Sequence, residues 1–309
     1  MSEQWREDDH PREEDGKFAP KGQGGATSNG KYVDKDSEKS YNKNATGKGR
    51  EFVLNDQESQ EVYDNINRGN LYDVEALTKL PTVRKMEEKI AEYDAKYGVT
   101  AKDTSPARKR LREEWKQRFL QGKGVDTMPP SGASLRKESK ATIVVGLPAA
   151  GKSSRIVNPL SDEQGAFILD SDEMKKLIPE YAETNGGAAN AVHEESKNLM
   201  NEVFAEFTNG DMKGTNIAIP VIGDKAMDMS EKYIIPLLDA GYDVEIAYKT
   251  ATAKESANRV IKRAIQTGRF IPSSVVQRYD DNNVRNAYEE ILAADYGGKK
   301  VKRSKHSEL

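Results

Sequence analysis

The sequence predicts an α/β fold in which a parallel β-sheet lies between two layers of helices. Three observations support this prediction. Four short apolar runs, over 141–145, 166–169, 216–222 and 242–248, are each long enough for one buried strand. Longer segments with apolar residues at helical spacing separate them, and strands that alternate with helices are joined by right-handed crossovers into parallel sheets. The first run also leads straight into a glycine-rich loop.

That loop has the pattern Gly-x-x-x-x-Gly-Lys-Ser between a predicted strand and a predicted helix, ending in Lys152 and Ser153. Its backbone N–H groups and the helix N-terminus are expected to bind phosphate oxygens, while the lysine reaches the β- and γ-phosphates and the serine ligates Mg²⁺. The pattern predicts a three-layer P-loop NTPase or kinase fold that binds ATP and Mg²⁺; the alternative is a turn that binds nothing. The expected nucleotide contacts here are Gly146, Ala149, Ala150, Gly151, Lys152, Ser153 and Ser154.

Charged residues follow at two further places. Asp170 and Asp172 come directly after the second apolar run, and carboxyl ends of parallel strands meet at the sheet edge where ligands bind. A carboxylate near the γ-phosphate is the expected general base for phosphoryl transfer.

Arg259 and Arg263 are four residues apart, so they share one face of a predicted helix. Guanidinium groups bind phosphate oxygens bidentately, although a solvated helix face would also explain this pair.

Composition excludes several classes of function. The net charge of −3 over 309 residues argues against a general nucleic-acid binder. The absence of cysteine excludes disulfides and thiolate metal sites and is typical of a reducing compartment. The sequence has no apolar run long enough to cross a membrane. These features predict a soluble cytoplasmic protein.

The sequence also predicts a division into segments. Residues 1–50 contain no Leu or Ile and a single valine, too little apolar surface to form a core. Apolar residues then recur at helical spacing up to 121, and a stretch rich in glycine and proline follows. The predicted organisation is a disordered leader over 1–50, a small helical domain over 51–121, a linker over 122–138, the α/β domain over 139–296 and a solvated basic tail over 297–309.

The order of motifs over about 139–290 resembles the zeta toxins. The resemblance is carried by the loop, by the Asp-x-Asp after the second strand with Met174-Lys175-Lys176 and Pro179-Glu180-Tyr181, by Val192-His193-Glu194-Glu195-Ser196, and by Arg259, Arg263 and Gly268-Arg269-Phe270-Ile271-Pro272. Zeta toxins are P-loop kinases that phosphorylate the 3′-hydroxyl of the amino sugar in UDP-N-acetylglucosamine. The resemblance therefore implies an ATP-dependent kinase that acts as a toxin.

The resemblance also implies roles for individual residues. Asp172 would accept the proton of the attacking hydroxyl, and Lys152 would neutralise the transferred phosphoryl group. Arg259 and Arg269 match phosphate-clamping arginines, with Arg263 as a neighbouring candidate. Glu195 or Glu202 would contact the substrate sugar, Ser153 would hold Mg²⁺, and His193 is expected to be structural.

The chain departs from the family where many members end the third strand with an acid followed by Gly-Thr-Gly. This chain has Ile219-Pro220-Val221-Ile222 there, so Asp170 or Asp224 would have to substitute as the Mg²⁺ ligand. A final short strand, common in the family, is also not expected. Two alternatives stay open: a kinase of the same fold with another acceptor, and a non-catalytic nucleotide-binding interaction protein of a mobile element.

Zeta toxins are commonly restrained by a small helical antitoxin. The helical segment over 51–121 has a compatible size and character, so we hypothesise that it is an inhibitor in cis that blocks the nucleotide site. A separate antitoxin in trans is the other arrangement that the resemblance implies.

Overall fold

The computed structural model of the protein describes residues 80–184, 186–267, 271 and 278–308. The predicted leader over 1–50, the segment 51–79 of the predicted helical domain and Arg269 lie outside the described residues. In the described part of the chain, no helix has the length and apolar character needed to span a membrane.

A parallel sheet of five strands forms the centre of the described fold. Its strands are β1 (Lys140–Val145), β2 (Phe167–Ile168), β3 (Ile217–Val221), β4 (Asp243–Tyr248) and β5 (Lys302–Arg303). They lie in the order β2-β3-β1-β4-β5, and every neighbouring pair is parallel. Because β1 pairs with β3 on one side and β4 on the other, the loop that follows it leaves the middle of the sheet at the carboxyl edge.

Helices cover both faces of the sheet. They are α1 (Pro81–Tyr97), α2 (Pro106–Leu120), α3 (Asn158–Gln164), α4 (Ser171–Lys175), α5 (Pro179–Glu183), α6 (His193–Thr208), α7 (Ala226–Met229), α8 (Ile235–Asp239), α9 (Ala253–Thr267) and α10 (Asp281–Ala293). A π-helical turn, Ser153–Val157, leads into α3, and a second, Ser230–Ile234, joins α7 to α8.

The apolar side chains of β1 alternate between two separate cores. Ile143 and Val145 belong to the larger core, whereas Val144 packs with the smaller core, which includes Leu160 of α3. Successive side chains of a strand point to opposite faces, so each core marks one face of the sheet. The predicted three-layer α/β architecture is confirmed.

Helix α2 is part of the larger core rather than of a separate domain. Trp115 and Phe119 are buried in that core, and the rings of Phe119 and Phe167 of β2 lie 5.7 Å apart, centroid to centroid. The segment predicted as a linker over 122–138 is also held in place, because Ile168 N–H donates a hydrogen bond to the carbonyl of Thr127 at 2.8 Å. Amphipathic spacing identified the helix but could not show which core its apolar face joins.

The basic tail predicted over 297–309 contains strand β5 instead. Glu245 of β4 pairs with Lys302, and the flanking Val301 and Ser304 are buried. A strand of two residues is too short for a detectable alternation, and basic side chains are typical of edge strands. The tail becomes a strand because β4 offers it an unpaired edge. The sequence of the tail does not encode that edge.

Replacing Phe119 with alanine is expected to reduce the free energy of unfolding by about 3–5 kcal/mol, because the substitution leaves a cavity between α2 and β2. Urea denaturation would measure the loss. The matched control is Leu111→Ala on the same helix, where the side chain is 39% exposed and the loss should stay within about 1 kcal/mol. Equal losses for both variants would contradict a core shared by α2 and the sheet.

Candidate active site

The loop after β1 is shaped by close packing against the end of β4. A Cβ added at Gly146 would lie 2.6 Å from the carbonyl oxygen of Lys249, so only glycine fits at the first position of the motif. Gly151 has a φ of +93°, in the region that favours glycine, just before the helical turn that starts at Ser153. Both motif glycines therefore meet a geometric requirement of the loop.

The side chain of Lys152 folds back over this loop. Its ammonium donates hydrogen bonds to the carbonyl oxygens of Gly146 at 2.7 Å and Leu147 at 2.9 Å. Burial lowers the pKa of Lys152 to about 8 with a smaller contribution from the positive charge of Arg263, and Asp170 and Asp172 oppose this shift. The ammonium therefore lies within electrostatic reach of both predicted carboxylates.

Helix α4 holds the two carboxylates. Asp170 caps the helix, since its Oδ1 accepts a hydrogen bond from the Asp172 N–H at 2.9 Å. The carboxylate of Asp172 pairs with the buried ammonium of Lys175 at 3.2 Å. Asp172 keeps part of its carboxylate accessible, with 28% of the side chain exposed. The cap sets the direction of α4, and the lysine restricts the position of Asp172.

Helix α9 also contacts the loop. The Arg259 guanidinium donates to the carbonyl of Ala150 at 3.2 Å and lies 3.5 Å from Glu255 one turn earlier. The buried Ser256 hydroxyl donates to the carbonyl of Pro148 at 2.6 Å. The structure thus places Arg259 at the loop, and Arg263 acts on Lys152 through its charge.

Few of the described side chains near the loop can ligate a metal, and those that can are oxygen donors. In the described ranges, no group of three or more His, Asp or Glu side chains is arranged to hold a metal ion. Mg²⁺ bound together with phosphates needs only one or two protein oxygens, and Ser153 with Asp170 can supply a hydroxyl and a carboxylate. These two residues fit the chemistry of Mg²⁺.

The turn after β3 lies against the start of the loop. The Ile222 carbonyl accepts a hydrogen bond from the Gly146 N–H at 3.1 Å. A Cβ added at Gly223, whose φ is +73°, would lie 2.4 Å from Cγ1 of Val145. The half-buried Asp224 follows Gly223 directly, so this turn carries an acid although the end of β3 has none.

Both acids predicted to bind the substrate are engaged by α2. Glu195 is 4% exposed, and its carboxylate lies 2.5 Å from Nη2 of Arg108 and 2.7 Å from Nε of Arg112. Glu202 pairs with Lys116 at 2.5 Å. The Glu195 carboxylate is therefore buried and held by two arginines, whereas Glu202 is paired through one oxygen and its side chain is 55% exposed.

Arg108 is the centre of this buried network. Besides Glu195, it binds Glu180 of α5 through Nη1 at 2.9 Å, and its guanidinium stacks 4.8 Å from the Trp115 ring centroid. The two carboxylates raise the pKa of Arg108 above its ordinary value, even though burial alone would lower it. The network connects α2, α5 and α6.

Sequence analysis missed the basic stripe on α2. Arg108, Arg112 and Lys116 are spaced by four residues and so share one helix face, while Glu195 and Glu202 are seven apart on α6. The two matching spacings were the available signal. These spacings do not by themselves predict ion pairs between the helices, because a charged stripe on a helix is more often solvated than paired.

A glycine-rich loop after the central strand, a lysine folded over it, carboxylates at the next strand end and an arginine from α9 define a P-loop kinase-like α/β protein. The zeta toxin family model matches residues 131–296, more than half of the chain. The chain belongs to the zeta toxin family.

Two solved structures are similar to this chain at low sequence identity. A chain from the PezAT chromosomal toxin–antitoxin system of Streptococcus pneumoniae is 15% identical with a TM-score of 0.47, over 62% of this chain and 75% of that chain. A chain from the Pnkp1/Rnl/Hen1 RNA repair complex is 21% identical with a TM-score of 0.39, over 50% of this chain and 47% of that chain. A search of curated proteins finds none that matches this chain.

Proposed function

We propose that this protein transfers the γ-phosphoryl group of ATP to a hydroxyl of a UDP-sugar, the 3′-hydroxyl of the amino sugar in UDP-N-acetylglucosamine, and acts as a toxin by doing so. The observation that carries the proposal is the convergence of Lys152, the Asp170–Asp172 pair and Arg259 on one loop. Phosphoryl transfer requires mainly positioning and charge stabilisation, and these groups supply both. Family membership supports the same reaction class.

Each group has a definite task in this proposal. Asp172 accepts the proton of the attacking sugar hydroxyl, and the oxygen then forms a bond to the γ-phosphorus as the bond to the ADP oxygen breaks. Lys152 stabilises negative charge on the transferred group. Arg259 and Arg269 clamp phosphate oxygens, and Arg263 is a further candidate for this role. Ser153 and Asp170 would hold Mg²⁺, which supplies charge neutralisation at the phosphates.

The affinity for ATP is expected to fall as the pH rises above 8. The pKa of Lys152 is about 8 in the free protein, and phosphate oxygens favour the charged ammonium, so binding takes up a proton above that pH. Affinity should decrease by up to about tenfold per pH unit between pH 8 and 9.5. Calorimetry in buffers of different ionisation heats would measure both the affinity and the proton uptake. The arginine in Lys152→Arg stays charged, so the ATP affinity of this variant should not depend on pH in this range. A pH dependence retained in that variant would show that Lys152 is not the group that takes up the proton.

The function is tested by phosphate transfer from radiolabelled ATP with the full chain. UDP-N-acetylglucosamine, UDP-glucose and a mixed metabolite extract are offered in parallel, and Lys152→Met serves as the blank. We expect label on UDP-N-acetylglucosamine that is absent from the blank. No label on any acceptor, with ATP bound, from the wild type and also from Arg112→Met and Lys116→Met, which break ion pairs made by α2, would instead indicate a non-catalytic nucleotide-binding protein.

A kinase with a different acceptor is the second candidate. It is favoured by the ion pairs that engage Glu195 and Glu202, and by the Ile219-Pro220-Val221 end of β3 where an acid is common in the family. In that case label would appear on a component of the extract and not on either UDP-sugar.

We also propose that an antitoxin, either in cis or in trans, restrains the activity. Support for an element in cis comes from α2, whose cations bind both acids proposed to contact the acceptor. Because α2 contributes to the core, point variants of these cations are a better test than removal of the segment over 51–121.

A further inference from the structure

Lys249 lies against the phosphate-binding loop, although the loop motif does not include it. It follows β4 directly, and its backbone N–H donates to the carbonyl of Val145 at 2.9 Å. Its carbonyl packs on Gly146, and its Cε lies 3.8 Å from where a Cβ of Gly151 would be. The aliphatic part of the side chain therefore runs along the loop between the two motif glycines.

The ammonium of Lys249 is paired with a carboxylate from the C-terminal segment. Nζ lies 2.5 Å from Oε2 of Glu308, and the Lys249 side chain is only 13% exposed, whereas that of Glu308 is 44% exposed. The Glu308 backbone N–H donates to the carbonyl of Tyr248 at 2.8 Å, which continues the parallel pairing beyond β5. The backbone bond anchors the segment, so the carboxylate can change partner without release of the chain.

We propose that Lys249 is a second phosphate-binding lysine of this site, and that Glu308 is an internal anion which the phosphates of a nucleotide displace from it. The inference rests on the proposed function, which brings a nucleoside triphosphate to the loop. Lys152, Arg259 and Arg263 already bring positive charge to the loop, and a phosphate oxygen can replace a carboxylate oxygen at an ammonium with no loss of charge pairing. The competing carboxylate lowers the apparent affinity.

Substitutions of the two partners should act in opposite directions. Lys249→Met is expected to weaken the binding of ATP·Mg²⁺ and of inorganic tripolyphosphate by about tenfold, the usual size for loss of one charge-assisted contact. Glu308→Gln is expected to strengthen both by about threefold, since it removes the competitor. In the Lys249→Met background, Glu308→Gln should have no effect. Calorimetry on the full chain measures these affinities, with thermal midpoints as a check on folding.

The matched controls are Lys302→Met and Asp243→Asn, which break an exposed pair of 2.8 Å at the opposite end of β4 and should leave both affinities unchanged. Weaker binding by both Glu308→Gln and Lys249→Met would overturn the inference and indicate a structural brace. An effect of Lys249→Met on ATP but not on tripolyphosphate would also overturn it, since the contact would then be to the base or ribose. If Lys152→Met binds ATP as well as the wild type does, the proposed function itself fails.

Discussion

Replacing Asp172 with asparagine is expected to lower kcat for phosphoryl transfer by about 10²- to 10⁴-fold, the usual contribution of a general base. Asparagine has the same shape but cannot take the proton of the acceptor hydroxyl. The affinity for ATP should stay within about threefold of the wild type, because Lys152 and the loop backbone are unchanged. Single-turnover transfer from radiolabelled ATP, combined with calorimetric ATP binding, separates the two effects.

The substitution also removes a negative charge from the buried ammonium of Lys175, 3.2 Å away, so the thermal midpoint must be measured beside the activity. Asp228→Asn is the matched control. That aspartate lies on α7, its side chain is 63% exposed, and its loss should leave kcat unchanged. A rate for Asp172→Asn within tenfold of the wild type, in a folded protein, would remove Asp172 from the proposed role.

Replacing Arg108 with methionine is expected to reduce the free energy of unfolding by about 3–5 kcal/mol, because it leaves Glu180 without its ion pair in a buried position and Glu195 with only Arg112. Domains of this size are stable by only about 5–15 kcal/mol, so the loss is a large part of the total. Urea denaturation followed by circular dichroism would measure it. Arg110→Met, at an exposed position on the same helix, should change stability by less than about 0.5 kcal/mol.

A combined variant keeps this prediction testable if Arg108→Met does not fold. Arg108→Met together with Glu180→Gln and Glu195→Gln leaves no unpaired carboxylate in the network, so most of the lost stability should return. If the combined variant is no more stable than Arg108→Met alone, packing of the guanidinium on Trp115, rather than charge, holds α2 in place.

The glycine-rich loop at the carboxyl edge of the sheet could be predicted from sequence because its signals are local. The residues from Ala141 to Ser153 encode a strand, a tight turn and a helix start within one short stretch, and the structure places Lys152 and Arg259 at that loop. The acids proposed to bind the acceptor could not be assessed in this way. Their availability depends on Arg108 and Lys116, which are more than 80 positions away in the chain.

By itself, the sequence determined the alternation of strands and helices, the phosphate-binding loop and the positions of its charged neighbours, since each depends on residues within one or two turns of each other. Only the tertiary structure decided that α2 belongs to the central core, that the basic tail adds β5 to the sheet, and that Glu195 and Lys249 have ionic partners. These outcomes depend on which surfaces meet after the chain folds. Burial free energy and edge pairing select those partners, and the spacing of residues along one helix or strand does not say which partner is selected.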